Sequence, residues 1–203
     1  MQNIELKEKE IAIIEKVVST VCAIGRGRHF NQKFDMAFIN TYCANGADKM
    51  VILPEELENW VIKFGIDTNE DEVCMREVEN YQKAVQDGYD KYLAPCYLYA
   101  KKNGFVFTIQ RKCECEECRY DDMFYEVIAS NYDKADFESE DDYYEAISYE
   151  TEELTDWDKA YIVFNDNKIC NWLSDHNIND LHCGNFGQLN GTNVLIDYSG
   201  YHW

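Results

Sequence analysis

Asp180, Asn185 and Asp197 are the residues whose types and spacing could carry chemistry. Asn190-Gly191, set between apolar flanks, is a hairpin signal, because a tight two-residue turn needs positive φ at both central positions. With those two residues as the turn, Leu189 faces Thr192, Asn185 faces Ile196 and Gly184 faces Asp197. Asn185 and Asp197 then meet at the open end of one hairpin. An amide oxygen and a carboxylate there make a hard-oxygen site suited to Mg²⁺, with phosphate oxygens completing the shell. Asp180 precedes Asn185 on the loop entering the same end, where a carboxylate could accept a proton.

Elements must hold these groups in place. Ile11, Ile14, Val18 and Val21, with Ile13, Val17 and Ile24 beside them, recur at helical spacing and predict an amphipathic helix over 5–24, ended by Gly25 and Gly27. A second short helix is expected over 31–43, then a turn at Asn45-Gly46. Two β-rich runs follow, 49–53 and 60–66. Alternation in the second sets Trp60, Ile62 and Phe64 on one side and Val61, Lys63 and Gly65 on the other, which places a lysine in mid-strand. Helical character returns over 69–88, with Thr68 or Asn69 as its cap. Residues 96–99 and 105–109 read as a hairpin across Asn103-Gly104. Helical pieces near 121–130 and 140–150, and one helix over 158–175, lead to the last hairpin. The order is that of an α+β chain of two lobes without internal repeats. It divides into helices over 1–44, a sheet with one helix over 45–112, an acidic tyrosine-rich helical insertion over 113–157, and a helix with the hairpin over 158–203.

Composition narrows the partners. The 203 residues are 46% hydrophobic, so a core can be buried, and they carry a formal charge of −20. Such an excess of acid disfavours non-specific nucleic-acid binding and docking on an anionic membrane. The charge is concentrated: residues 113–158 hold 18 acidic residues against Arg119 and Lys134. That stretch reads either as a solvated helical face or insertion, or as a surface that docks on a basic partner or mimics nucleic acid. The first ten residues are charged rather than apolar and no apolar run reaches membrane-spanning length, so the expectation is a cytoplasmic protein without a leader. The nine cysteines then read as reduced thiols serving as small core residues. Cys113, Cys115 and Cys118 stand at a spacing that could hold zinc if His176, His182 or Cys183 came near, or are reduced surface thiols. His182 is expected to pack inside its loop. No Gly-x-Ser-x-Gly elbow and no paired-histidine zinc motif is present, so a hydrolase reading has little support.

The pattern Asp180-x-x-x-x-Asn185, a hairpin, then Asp197-x-x-Gly200 resembles the catalytic loop and metal-binding motif of the protein-kinase-like superfamily. The variant Asp180-Leu181-His182-Cys183-Gly184-Asn185 is closer to aminoglycoside phosphotransferases and to bacterial or phage kinase-like proteins. Val61-Ile62-Lys63 resembles the strand carrying the phosphate-binding lysine, and Glu77 resembles its ion-pair partner, with Glu72 and Glu79 as rivals on the same helix. Gln110 to Lys112 fall where the lobe hinge and adenine pocket would be. The resemblance covers about 49–112 and 158–200. It implies a compact, truncated bilobal fold with a small antiparallel N-lobe sheet and a mainly helical, reduced C-lobe. It implies that Lys63 holds the α- and β-phosphates of ATP with Glu77 fixing it, that Gln110 and Lys112 contact the nucleotide, that Asp180 orients or deprotonates an acceptor hydroxyl, and that Asn185 and Asp197 bind Mg²⁺. The sequence departs from the family in lacking a glycine-rich phosphate loop before Lys63, in having Tyr198 for Phe with Ser199 inserted before Gly200, and in stopping at Trp203 without the large helices that bind peptides. Two functions follow: a minimal phosphotransferase moving the ATP γ-phosphate to a hydroxyl acceptor, or a catalytically silent phage-type pseudokinase that binds and inhibits a basic host protein through its acidic region.

Overall fold

A computed structural model describes residues 5–45, 49–116 and 118–200. The chain is α+β and divides into two compact units, Met1–Lys83 with Pro95–Lys112, and Ala84–Ala94 with Cys113–Trp203.

The first unit begins with α1 (Glu8–Ile24) and α2 (Phe30–Ala37). The Glu10 carboxylate accepts from the Lys7 amide at 2.8 Å, satisfying one of the donors exposed where α1 starts. Gly25 ends α1 at φ 66°, its amide donating to the Val21 carbonyl. Strands β1 (Tyr42–Asn45), β2 (Met50–Leu53), β3 (Trp60–Phe64), β4 (Cys96–Lys102) and β5 (Phe105–Arg111) form an antiparallel sheet in the order β1-β2-β3-β5-β4. Helix α3 (Thr68–Asp87) connects β3 to the later strands and contributes its last turn to the second unit.

Alternation along the strands divides the sheet into two unlike faces. Ile52, Trp60, Ile62, Phe64, Phe105, Phe107 and Ile109 join Ile14, Val18, Val21, Phe30 and Phe34 of α1 and α2 in one hydrophobic core. Its rings interlock, with Phe64 5.6 Å from Phe107 and Phe30 5.6 Å from Phe34 between centroids. Val61, Lys63, Thr108 and Gln110 belong to the opposite face.

Several boundaries differ from the sequence expectation. Residues 42 and 43 pair with β2 as a strand rather than ending the second helix, because Tyr42 and Cys43 face Leu53 and Ile52. Of the expected Asn45-Gly46 turn, Gly46 lies outside the described residues. Asp67, not Thr68 or Asn69, caps α3, its Oδ1 accepting from the Asn69 and Glu70 amides at 2.8 and 3.0 Å. The β4–β5 hairpin turns at Asn103 (φ 51°) and Gly104 (φ 80°) as expected, but both strands run longer, so Gln110 is a strand residue and not part of a hinge loop.

The second unit holds α4 (Arg119–Ala129), α5 (Glu140–Glu152), α6 (Asp156–Phe164), α7 (Asn167–Asp175) and a hairpin of β6 (Phe186–Leu189) and β7 (Thr192–Leu195). The acidic segment is folded: α4 buries Tyr120, Phe124 and Ile128, α5 buries Ile147, and Ser139 caps α5 by accepting from the Asp142 amide. Asp121, Asp122, Glu140, Asp141 and Asp142 fall in first turns, where carboxylates suit the positive end of the helix dipole. The single helix expected over 158–175 is two helices. Asn165 takes the left-handed conformation at φ 49°, and Asp166 caps the new helix by accepting from the Lys168 amide at 2.9 Å. Phe186 is the centre of this unit's core, its ring 5.3 Å from Tyr120, 5.8 Å from Phe164 and 6.4 Å from Phe124. None of the nine cysteines is in a disulfide. No described helix is long and apolar enough to cross a membrane.

Candidate functional site

In the first unit the site grows from the alternation of β3. Because Ile62 and Phe64 face the aromatic core, Lys63 must face away from it, yet only 4% of it is exposed. A buried ammonium requires a partner. Helix α3 supplies one: Lys63 Nζ lies 3.0 and 3.1 Å from Oε1 and Oε2 of Glu77, which is fully buried. Glu72 and Glu79 are elsewhere on α3, lining a surface groove with Asp71, Arg76 and Lys101. The turn from β3 into α3 is tight at Gly65, where a Cβ would stand 2.5 Å from the Asp71 amide nitrogen. Asp71 in turn pairs with Arg26 and accepts from the Val106 amide at 3.0 Å, tying the start of α3 to β5.

A second lysine reaches the same carboxylate. Lys49, 5% exposed at the entrance to β2, places Nζ 2.8 Å from Glu77 Oε1. Sequence reasoning missed it, although the i, i+2 relation to Val51, which pairs with Lys63, would have put Lys49 on the lysine face. Two thiols share the surroundings. Burial, then the Glu77 charge, pushes the Cys74 thiol up to about 12, and burial raises Cys96 as well.

Gln110 is 2% exposed within β5 and pairs with Val61 and Cys96, so its side chain belongs to the lysine face. Thr108 pairs directly with Lys63 and is fully buried. Gln110 Nε2 and Thr108 Oγ1 are both buried without a hydrogen-bond partner. Lys112 is exposed, and its backbone amide donates to the Asn59 carbonyl at 2.9 Å. Gln110 and Lys112 are therefore not gathered into one loop.

In the second unit, the hairpin has the register derived from Asn190-Gly191. Leu189 pairs with Thr192 and Phe186 with Leu195, and the Ile196 amide donates to the Asn185 carbonyl at 2.8 Å. Asn190 (φ 53°) and Gly191 (φ 78°) are both left-handed, as the turn demands. Asn185 is 6% exposed and donates through Nδ2 to the Asp180 carbonyl at 2.8 Å. Asp180 and Asn185 are thus brought together, between the fully buried Leu181 and the nearly buried Phe186 that anchor the loop. His182 is exposed, contrary to the packing role expected of it. Its Nδ1 accepts from the Gly184 amide at 3.1 Å and its Nε2 stands 3.8 Å from Asp180 Oδ1.

Asp197 follows Ile196 at the open end of the hairpin and accepts from Ser199 Oγ at 3.2 Å. Its neighbours hold it firmly. Tyr198 is fully buried and donates its hydroxyl to the Ala94 carbonyl. Gly200 has φ 74°, and a Cβ there would lie 2.2 Å from the Asn177 carbonyl oxygen, so the glycine is required both by conformation and by space. Asn193 Oδ1 accepts from Gln188 Nε2 at 3.0 Å and from the Tyr120 hydroxyl at 3.3 Å, while its Nδ2 donates to the Val163 carbonyl at 3.1 Å. This node joins the hairpin to α4 and α6 and was not anticipated.

The donor set suits Mg²⁺. With Asn185 Nδ2 committed to the Asp180 carbonyl, Oδ1 is the amide atom that could serve a cation, and the Asp197 carboxylate is the other hard-oxygen group at this end of the hairpin. Mg²⁺ takes one or two carboxylate or amide oxygens from a protein and fills its octahedron with water and phosphate oxygens. Among the described residues no three or more His, Cys, Asp or Glu side chains gather in a group that could hold a metal ion. Cys115 and Cys118 are exposed and Cys113 half-buried.

Neither protein-family models nor curated proteins match the chain.

Proposed function

We propose that the chain is a kinase-like protein that binds ATP with Mg²⁺ and moves the γ-phosphate to a hydroxyl acceptor. The observation that carries this reading is the buried Lys63–Glu77 pair, a strand lysine held by both oxygens of a helix carboxylate. An ammonium fixed this way has one geometry rather than many, which is what phosphoryl transfer asks of a phosphate-holding cation. The five-stranded antiparallel sheet, with α3 between β3 and β4, suits the small lobe of such a fold.

Each unit has its own part in the chemistry. In the first, Lys63 would hold phosphate oxygens and Glu77 would keep its ammonium from swinging away. In the second, Asn185 Oδ1 and the Asp197 carboxylate would hold Mg²⁺, which when bound neutralises phosphate charge. Asp180 would orient the acceptor hydroxyl and take its proton on the carboxylate. The Asn185 Nδ2 bond to the Asp180 backbone carbonyl supports this reading, because it ties the amide side chain to the loop that carries Asp180.

The acidic segment supports a second reading, that of a silent binder of a basic host protein. Helices α4 and α5 bury apolar residues and leave Asp121, Asp122, Glu126, Asp141, Asp142 and Glu145 exposed, forming fixed anionic surface.

Incubation of the protein with labelled Mg-ATP and cell extract tests both. Label transfer that is lost in Lys63→Ala and in Asp180→Asn supports the phosphotransferase. Mg-ATP binding without transfer supports the silent binder. Absence of Mg-ATP binding by the folded wild-type protein overturns the kinase-like reading.

A further inference from the structure

We infer that Lys49 is a second phosphate-holding lysine and that the Lys49–Lys63–Thr108–Gln110 face takes a polyphosphate anion, a nucleoside di- or triphosphate in preference to a monophosphate. The inference rests on the nucleotide-binding reading of this face and extends it to a residue and a ligand class.

Three observations lead to it. First, Lys49 Nζ and Lys63 Nζ converge on one oxygen of Glu77, at 2.8 and 3.0 Å, so the two ammonium groups are close neighbours on a buried surface. One carboxylate offsets only one of the two positive charges, and the net positive charge left on this face favours a further anion. Second, register puts a hydroxyl and an amide beside them. Thr108 lies opposite Lys63, and Gln110 lies two residues further along the same face, opposite Val61. Third, Thr108 Oγ1 and Gln110 Nε2 are buried with no hydrogen-bond partner. Buried polar atoms are nearly always satisfied, and each orphan calls for a partner.

The atoms named are alike in one respect. Two ammonium groups and an amide nitrogen are donors only, and a hydroxyl can donate. The matching ligand is rich in acceptors and anionic, which describes phosphate oxygens. Two cations that reach the face from different segments suit a chain of phosphates better than a single one, because successive phosphates can each meet an ammonium. Lys49 also stands at the entrance to β2, ahead of Lys63 in the chain, where no glycine-rich loop is present to wrap phosphates with backbone amides. A charged side chain there does the holding by attraction instead of by backbone hydrogen bonds.

The experiment is calorimetric titration of the full chain with ATP, ADP, AMP and inorganic tripolyphosphate, each with Mg²⁺, alongside thermal melts without ligand. Wild type, Lys49→Met, Lys49→Arg, Lys63→Met and Thr108→Val are compared. Lys49→Met is expected to weaken ATP and tripolyphosphate by about tenfold or more, the scale of one charge-assisted hydrogen bond, and to leave AMP nearly unchanged. Lys49→Arg restores most of the loss. Thr108→Val is the variant that escapes any folding defect: removing an unsatisfied hydroxyl raises the melting temperature without ligand, while phosphate affinity falls. A purely structural threonine would not give those opposite signs. If Lys49→Met and Thr108→Val both bind ATP as wild type does while Lys63→Met fails, Lys49 has no such role and the nucleotide reading stands. If folded wild type binds neither ATP nor tripolyphosphate, the nucleotide reading falls and this inference with it.

Discussion

Lys49, at the entrance to β2, and Lys63, within β3, reach the same oxygen of Glu77 at 2.8 and 3.0 Å. The carboxylate is therefore shared, and its loss is felt twice. Removing one partner from a buried ion pair costs about 3–5 kcal/mol, because the charge left behind is desolvated without compensation. Glu77→Gln should fall in or above that range in urea denaturation. Lys49→Met and Lys63→Met should each cost less, since the other lysine still meets the carboxylate. An equal cost for all three would contradict the shared arrangement.

The two glycines that frame Asp197 should respond differently to a methyl group. At Gly191 the added Cβ meets nothing within 4 Å, so only the left-handed backbone at φ 78° is penalised. Gly191→Ala should cost about 1 kcal/mol. At Gly200 the same strain adds to a contact of 2.2 Å with the Asn177 carbonyl oxygen. Gly200→Ala should cost roughly 3 kcal/mol or displace the 197–200 segment. Chemical denaturation of both variants checks the order.

Acid should weaken one tether in the second unit. The Tyr92 hydroxyl donates to Asp166 Oδ2 at 2.5 Å, and that bond, followed by the Lys168 amide, holds the Asp166 carboxyl below its ordinary range. A carboxylate lowered in the folded state adds stability above its unfolded value, near pH 4, and loses it as the pH falls through the lowered value. Tyr92→Phe should therefore be less stable than wild type at pH 7. The gap should narrow steadily below about pH 4, followed by thermal melts across the acid range. A gap independent of pH would show that the bond does not select the ionised form.

Thiol reactivity should sort by position. Cys115 and Cys118 are exposed, whereas Cys74 and Cys96 are buried beside Glu77. With Cys74 pushed up from 9.0 to about 12, its thiolate at mildly alkaline pH is about a thousandfold scarcer, before any steric protection. Aromatic disulfide reagents should label Cys115 and Cys118 rapidly, and Cys74 and Cys96 only on unfolding. Peptide mapping after timed quenching reads this directly.

Much of this arrangement could be read from local chemistry. Asn190-Gly191 determined a turn type, the turn type determined a register, and the register carried through to the Ile196–Asn185 bond. The two faces of β3 followed from period-two alternation alone. What escaped depended on partners distant in sequence. Lys49 has no motif around it; its burial makes sense only with Glu77, 28 residues later, folded over the sheet. The resemblance sets Gln110 at a hinge just past Ile109, whereas the extension of β5 through Arg111 is decided by pairing with Trp60 and Val61. The break between α6 and α7 did have a local signal, a left-handed-tolerant Asn165 before a capping Asp166, obscured by apolar residues on both sides that keep helical spacing. His182 shows the converse, a ring expected inside that is held outside by its bond to the Gly184 amide.

The position of β5 between β3 and β4 also constrains when the first unit can close. During synthesis β1, β2, β3 and α3 all leave the ribosome before Phe105 does, so Lys49, Lys63 and Glu77 emerge ahead of the strand that completes their sheet. At about 5–20 residues per second, the nascent chain waits several seconds with the edge of β3 open. That edge, with Phe64 and Ile62 on its apolar side, is a template to which any passing strand can pair. Ribosome-associated chaperones would then have their strongest claim on this chain between the emergence of β3 and the arrival of Arg111.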